Sequence, residues 1–355
     1  MTLFETVSDL TLAVESSDRT RTERDTSSGF TRATTVYALS GGDETGRGED
    51  VTYDTEDHDA LADAPALVGN DDGQVAPGEY TFAEFSAALD DVDLFPAREP
   101  ERDTARHYRR WAVESAGLDL ALRQAGTNLG DVVDRNYDPV RFVVSTRLGD
   151  PPTTERVDAL LGRYPETELK LDPTAEWTED VVADLAETSA VRILDLKGRY
   201  EGTEVDQAPD PALYELVFEN FPDAVVEDPG QSAATDPLVE DNADRISWDY
   251  PITGVESVES LPFEPEWLNV KPSRFGTVES LFDTLDYAAE NGISLYGGGQ
   301  FELGVGRDQI QALASLFYAD GPNDVAPGVY NDPEVPDDAP TSPLSPSRSP
   351  DGLGF

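Results

Sequence analysis

The sequence predicts an α/β protein built on a TIM-type barrel, of (β/α)7β or (β/α)8 form, with an N-terminal α+β capping domain. Three observations carry that expectation. From about residue 139 short apolar runs alternate with amphipathic segments of helical period, spaced roughly 20 to 35 residues apart, the pattern of a parallel sheet with crossover helices. Before that point the chain first alternates apolar and polar residues and then turns helical, so a different architecture precedes the barrel. At 355 residues the chain exceeds one small domain and suits a barrel with an accessory unit. The expected division is a capping domain over residues 1–135, a barrel over 136–331 and a Pro- and Ser-rich tail over 332–355.

From residue 3 to about 55 the runs "LTLAVES", "ATTVYALSG" and "VTYDTED" read as strands of an antiparallel meander, with Gly- and Ser-rich turns between them. Helices follow in "TFAEFSAAL" and in "TARHYRRWAVESAGLDLALRQAG", which stops at Gly126. Strands are then expected at 141–148, 167–172, 191–197, 224–228, 245–250, 267–272, 293–297 and 323–326. Eight parallel strands predict closure into a barrel. The tail, "DPEVPDDAPTSPLSPSRSPDGLGF", reads as irregular.

Composition narrows the function classes. With 73 acidic against 25 basic residues the net charge is −48, which opposes any binding of nucleic acid through its phosphates. A hydrophobic content of 38% that includes 14 Phe and 13 Tyr supplies a core, so the acidity is not a sign of disorder. It fits a protein from a salt-loving (halophilic) organism, whose surface carries carboxylates in place of lysines. No Cys is present, which excludes disulfides and thiolate metal sites. The start "MTLFETVSDL" has no basic or apolar targeting pattern, and no run of eighteen apolar residues occurs anywhere. A soluble cytoplasmic homo-oligomer is expected, with no nucleic-acid or membrane partner.

Barrels of this kind place their chemistry at the C-terminal ends of the strands, so the charges there are sorted by face. The second predicted strand ends "ELKLD", with Lys170 and Asp172 on one face; the third carries Asp195 and Lys197; the fourth, "AVVEDPG", carries Glu227. The fifth, "ISWDYP", puts Asp249 away from Ile246 and Trp248, and the sixth, "WLNVKPSRFG", puts Asn269 and Lys271 opposite Leu268 and Val270. The chain has only three lysines, Lys170, Lys197 and Lys271, and all fall at these ends.

Asp195, Glu227 and Asp249 would offer three oxygen ligands from successive strands, which suits Mg²⁺. Lys170 and Lys271 flank them, and desolvation with a nearby positive charge would lower their pKa values so that one takes a proton from carbon. Two other readings stay open. Lys271 is also placed for a Schiff base, and a barrel of this pattern would bind a carboxylate without turning it over.

Asp, Glu and Asp ending the third to fifth strands, with Lys ending the second and sixth, resembles the enolase superfamily, and within it the muconate cycloisomerase (muconate lactonizing enzyme) type, which includes o-succinylbenzoate synthases and dipeptide epimerases. The likeness covers roughly residues 100 to 330. It extends to "YGGGQFELGVGR", where Glu302, Gly304 and Gly306 match that group's Glu-Ser-Gly-Ile-Gly segment. The resemblance implies a Mg²⁺-dependent lyase or isomerase that removes the α-proton of a small-molecule carboxylate to give a metal-stabilised enolate, as a cycloisomerase, dehydratase (synthase) or epimerase. It implies Asp195, Glu227 and Asp249 as metal ligands, Lys271, Lys170 and Lys197 as the catalytic set, and Asp172, Asn269, Glu302 and Gly298 at the substrate. Two positions depart from the group: Lys170-Leu171-Asp172 stands where it has Lys-x-Lys, and Lys197 where it has Asn in Asp-x-Asn. Lys197 is therefore either a relocated base or a cation that holds the substrate carboxylate, with an anion between it and the metal. The two histidines, His58 and His107, lie in the first domain, so no His-Asp dyad arises from the barrel, and His107 is expected on a helix face. The run Gly297 to Gly299 lacks a phosphate-loop spacing and is expected to allow close backbone approach at the barrel mouth.

Overall fold

The computed structural model describes residues 1–69, 73–203 and 205–355. In the first part a three-stranded antiparallel sheet, β2 (Ser16–Asp25), β3 (Thr31–Gly41) and β4 (Glu44–Asp50), stands beside a two-stranded pair, β1 (Thr11–Val14) with β5 (Gly78–Thr81). The long helix Thr104–Gln124 lies across β4, and a Cβ on Gly48 would stand 2.9 Å from the backbone N of Ala116, so glycine sets the closeness of that packing. The helix stops where Gly126 turns left-handed at φ 65°.

The meander differs from the expected one at both ends. Residues Leu3–Val7 form a helix, because Thr2 and Glu5 make a reciprocal capping box that satisfies its first amides. The run "VTYDTED" is not a strand. The Asp50 carboxylate accepts from the Thr52 amide (3.0 Å) and hydroxyl (2.6 Å), which turns the chain out of the sheet and into the helix Thr55–Asp59.

The second part is a seven-stranded parallel sheet in chain order: β6 (Val143–Thr146), β7 (Glu168–Leu171), β8 (Val191–Asp195), β9 (Val225–Glu227), β10 (Ile246–Trp248), β11 (Trp267–Val270) and β12 (Ser294–Gly297). Side chains of one parity, Val143, Ile193, Val225 and Tyr296 with Trp267, pack together inside the curl. The other parity, including Leu169, Leu194, Val226, Trp248 and Leu268, joins the main core under the helices.

The eighth expected strand, 323–326, is not a strand. Asn323 and Asp324 nevertheless bridge both edges of the sheet, the Val143 amide donating to the Asn323 carbonyl (2.8 Å) and the Asp324 amide to the Gly297 carbonyl (2.7 Å). Pro322 and Pro327 bracket the segment and cut its ladder short. The Asn323 side chain completes the closure, accepting from the Gly297 amide (2.6 Å) and donating to the Arg141 carbonyl (2.9 Å). Beyond the barrel the tail is irregular, yet Leu344 exchanges both backbone hydrogen bonds with Val140 and Leu353 is buried. Among the described residues no helix is long and apolar enough to cross a membrane.

Candidate active site

Strand ends deliver the charged groups. Asp195 and Glu227 are the last residues of β8 and β9 and stand side by side in the register, while Asp249 and Lys271 each follow directly on their strands, β10 and β11. Asp195, Glu227 and Asp249 are each 0% exposed, and one oxygen of each lies within 4.8 Å of the others. Three buried carboxylates so close are costly unless cations answer them. Lys170 on β7 does so from one side, its Nζ 2.6 Å from Glu227 Oε1 and 3.6 Å from both Asp195 Oδ2 and Asp324 Oδ2. Lys271 does so from the other, donating to Asp249 Oδ2 at 2.7 Å.

Neighbours fix the orientation of these carboxylates. Glu227 Oε2 accepts from Asn269 Nδ2 (2.8 Å) and from the Tyr296 hydroxyl. Asp249 Oδ2 also accepts from the Tyr200 hydroxyl (2.8 Å), and Arg274 Nε stands 3.3 Å from Asp249 Oδ1 without the geometry of a hydrogen bond. Asp249 Oδ1 is thus a buried carboxylate oxygen with no hydrogen-bond partner. That orphaned atom, in an all-oxygen set of three converging carboxylates, fits a hard divalent cation such as Mg²⁺.

Asp228, next to Glu227, is also fully buried, with φ at 48°. Burial and the charges of Asp249, Asp195 and Glu227 push its carboxyl well up, although the amides of Asp249 (3.0 Å) and Tyr250 (2.8 Å) donate to it. Burial likewise raises Glu227 against the pull of Lys170. For Asp249 burial acts upward, and Arg274, Lys271 and Lys170 together outweigh it and hold the group far below the usual carboxylate range.

Among its carboxylate neighbours alone the Lys170 amine is raised, whereas the expected lowering rests on the positive field of a bound ion, which would act the other way. Burial acts downward on its amine, but Glu227, Asp195 and Asp324 overcome this and raise it well above the ordinary value. Lys197 is raised in the same way, by Asp172 and Asp195 against burial. Its placement also differs from the strand reading. β8 ends at Asp195 and Lys197 has a left-handed φ of 54°, so period-two alternation does not reach it. Its amine folds back onto the Asp195 carboxylate and lies 3.7 Å from Asp172 Oδ1. Asp172 in turn stands 3.4 Å from Arg147 Nε.

A cavity of about 470 Å³ opens over this cluster and is lined by Lys170, Asp172, Lys197 and Lys271. Gly298 stands below its wall, where a Cβ would come 2.7 Å from Lys271 Cε; the glycine run therefore serves close approach. Glu302 does not line the cavity. Its Oε1 accepts from the Gln300 amide (2.6 Å) and its Oε2 lies 2.9 Å from Arg307 NH2. His107 sits on the long helix and bonds the Arg274 carbonyl (2.7 Å), and His58 is buried between the Thr35 hydroxyl (2.9 Å) and the Thr52 carbonyl (2.8 Å).

Sequence reading missed several contributors. Asp228 directly follows Glu227, and Arg274 lies one short turn after Lys271, so both were visible as charges beside a strand end. Tyr200 comes from a loop with no periodic signal, and Asp324 lies within the expected eighth strand, 323–326, but not among the expected site residues. Phe30, Tyr53, Arg102 and Tyr108 reach the cavity from the first domain, which no strand pattern in the barrel foretells.

Solved structures share this architecture. A muconate lactonizing enzyme from Pseudomonas fluorescens complexed with muconolactone is similar at TM-score 0.69 and 18% identity, over 97% of this chain and 96% of that one. A dipeptide epimerase from Enterococcus faecalis V583 gives 0.70 and 14%, over 97% and 99%. A dipeptide epimerase from Methylococcus capsulatus complexed with Mg ion gives 0.62 and 17%, over 91% and 88%. The fold is that of the enolase superfamily. No curated protein matches the sequence. Residues 5–132 match the N-terminal and residues 136–332 the C-terminal domain of a family described as a domain of unknown function, DUF8230, and the chain belongs to that family.

Proposed function

We propose that the protein is a Mg²⁺-dependent lyase or isomerase of the enolase superfamily, akin to the muconate cycloisomerase type, which removes the α-proton of a carboxylate substrate. The observation that carries this reading is the converging set Asp195, Glu227 and Asp249, fully buried and flanked by lysines on opposite sides. Those three carboxylates would hold the ion. When bound, Mg²⁺ supplies the positive charge that steadies the second negative charge built up as a carboxylate loses its α-proton.

The remaining work falls to the chain's own side chains. Lys271, beside Asp249 and facing the cavity, takes the α-proton at its Nζ. Lys170 faces the substrate from the β7 side and holds charge or a second proton there. Asn269 and Tyr296 fix the Glu227 carboxylate, and Tyr200 and Arg274 fix Asp249, so the ligand oxygens need not reorganise when the ion binds. Lys197, paired with Asp195 and Asp172, tethers the β8 end and the loop after β7.

Replacing Glu227 by Gln removes one ligand charge while Asn269 and Tyr296 still meet a side chain of the same shape. Calorimetry at matched high salt should show Mg²⁺ affinity falling at least about tenfold. Unchanged affinity contradicts the assignment.

A further inference from the structure

Resting on that reading, we propose that the part of the substrate remote from its reacting carboxylate is an aromatic ring, seated between the first domain and the loop after β12. The cavity, at about 470 Å³, is far larger than a carboxylate and its α-carbon require, so the rest of the substrate must fill it.

The lining decides what fills it. Phe30 and Tyr53 enter from the first domain and Phe301 from the loop after β12, with Phe30 and Phe301 edge to face at 5.3 Å. Phe30 and Phe301 are half-buried, and Tyr53, 36% exposed, lines the same cavity with the Arg32 guanidinium 4.4 Å from its ring centroid. Phe301 takes a left-handed φ of 56°, a conformation that a bulky residue holds only when its surroundings force it. The Gln300 side chain beside it is pinned by the Tyr53 hydroxyl donating to Oε1 (2.9 Å) and by Nε2 donating to the Tyr108 hydroxyl (3.3 Å). The Phe301 ring is thus presented on a fixed loop.

Charge argues against a second anion in this space. Arg102 stands 3.4 Å from Asp54, Arg147 3.4 Å from Asp172 and Arg274 3.3 Å from Asp249, so the arginines lining the cavity already face carboxylates. A neutral ring packs beside Phe30, Tyr53 and Phe301 without leaving any of these arginines unpaired.

The test compares 4-phenylbutanoate with 4-cyclohexylbutanoate and hexanoate by calorimetry at high salt, with and without saturating Mg²⁺. The phenyl compound should bind about twofold to tenfold more tightly than the cyclohexyl one, the size of an aromatic pairing beyond area burial. Phe30→Leu and Tyr53→Leu should each shrink that preference while leaving Mg²⁺ affinity unchanged. Equal binding of the two ring compounds overturns the proposal, as does a preference that survives both variants. Failure of all three compounds to bind while Mg²⁺ binds also overturns it. If Mg²⁺ itself does not bind, the metal reading fails, and the preference measured without metal still decides this one.

Discussion

Glu49, near the end of β4, joins the first domain to the wall of the cavity. Its carboxylate is 1% exposed and accepts from the amides of Leu303 (2.7 Å to Oε1), Gly304 (3.0 Å to Oε2) and Gly306 (2.8 Å to Oε2), the unpaired donors that begin the helix Val305–Phe317. In Glu49→Gln the shape stays but one oxygen becomes an NH₂ that meets an amide donor whichever way the group turns. A buried donor left unpaired costs ~1–3 kcal/mol, and the lost charge at a partly buried helix start up to ~2 kcal/mol. Together the substitution should destabilise the protein by about 2–4 kcal/mol. Urea unfolding at matched high salt measures this, and hydrogen exchange locates it, with faster exchange expected at Leu303, Gly304 and Gly306. A loss below ~1 kcal/mol with those amides still protected would refute the reasoning, since it would mean that the carboxylate is not their partner in solution.

Arg109 is buried with Nε 2.8 Å from Asp50 and NH2 donating to the Asp57 carbonyl (2.8 Å), so Arg109→Ala strands the Asp50 charge and should cost about 3–5 kcal/mol in the same assay. Burial raises Asp50, but Arg109 and His58 overcome it and hold its pKa below the ordinary value; the resulting stabilisation is complete above the unfolded value near ~4 and disappears as pH falls through the folded one. Asp50→Asn should therefore flatten the acid limb of a stability–pH curve, and an unchanged limb counts against the pairing. With a net charge of −48, the melting temperature should rise steadily from dilute buffer to molar KCl as counterions screen self-repulsion; equal melting in both removes that account of the acidity.

Strand alternation is a local rule, and it carried the reading as far as strands lasted. It placed Asp195, Glu227, Asp249, Lys170 and Lys271 on the inner face because each lies within a strand or one residue past its end. It gave Lys197 the right side on the wrong ground, since β8 ends at Asp195 and a left-handed residue two positions on turns the amine back to the Asp195 carboxylate at the cavity. The eighth strand was misread for a related reason: apolar pattern marks burial, while a ladder also needs backbone donors that Pro322 lacks, and the closure passes to the Asn323 side chain. The aromatic wall of Phe30 and Tyr53 arises where two separately patterned parts of the chain meet, and no single window of sequence contains that contact.

On the proposed function, Lys271 removes an α-proton in a site charged with Mg²⁺. Proton exchange in D₂O tests it most directly: carboxylates that bind, 4-phenylbutanoate among them, are incubated with protein and Mg²⁺ and the α-proton signal is followed by NMR. The wild-type protein should exchange the proton of at least one bound compound, and both Lys271→Ala and removal of the metal with EDTA should stop it. Exchange that continues unchanged in Lys271→Ala contradicts the assignment of the base, and exchange that survives EDTA while borohydride traps a compound on Lys271 contradicts the chemistry itself, replacing it with a Schiff base.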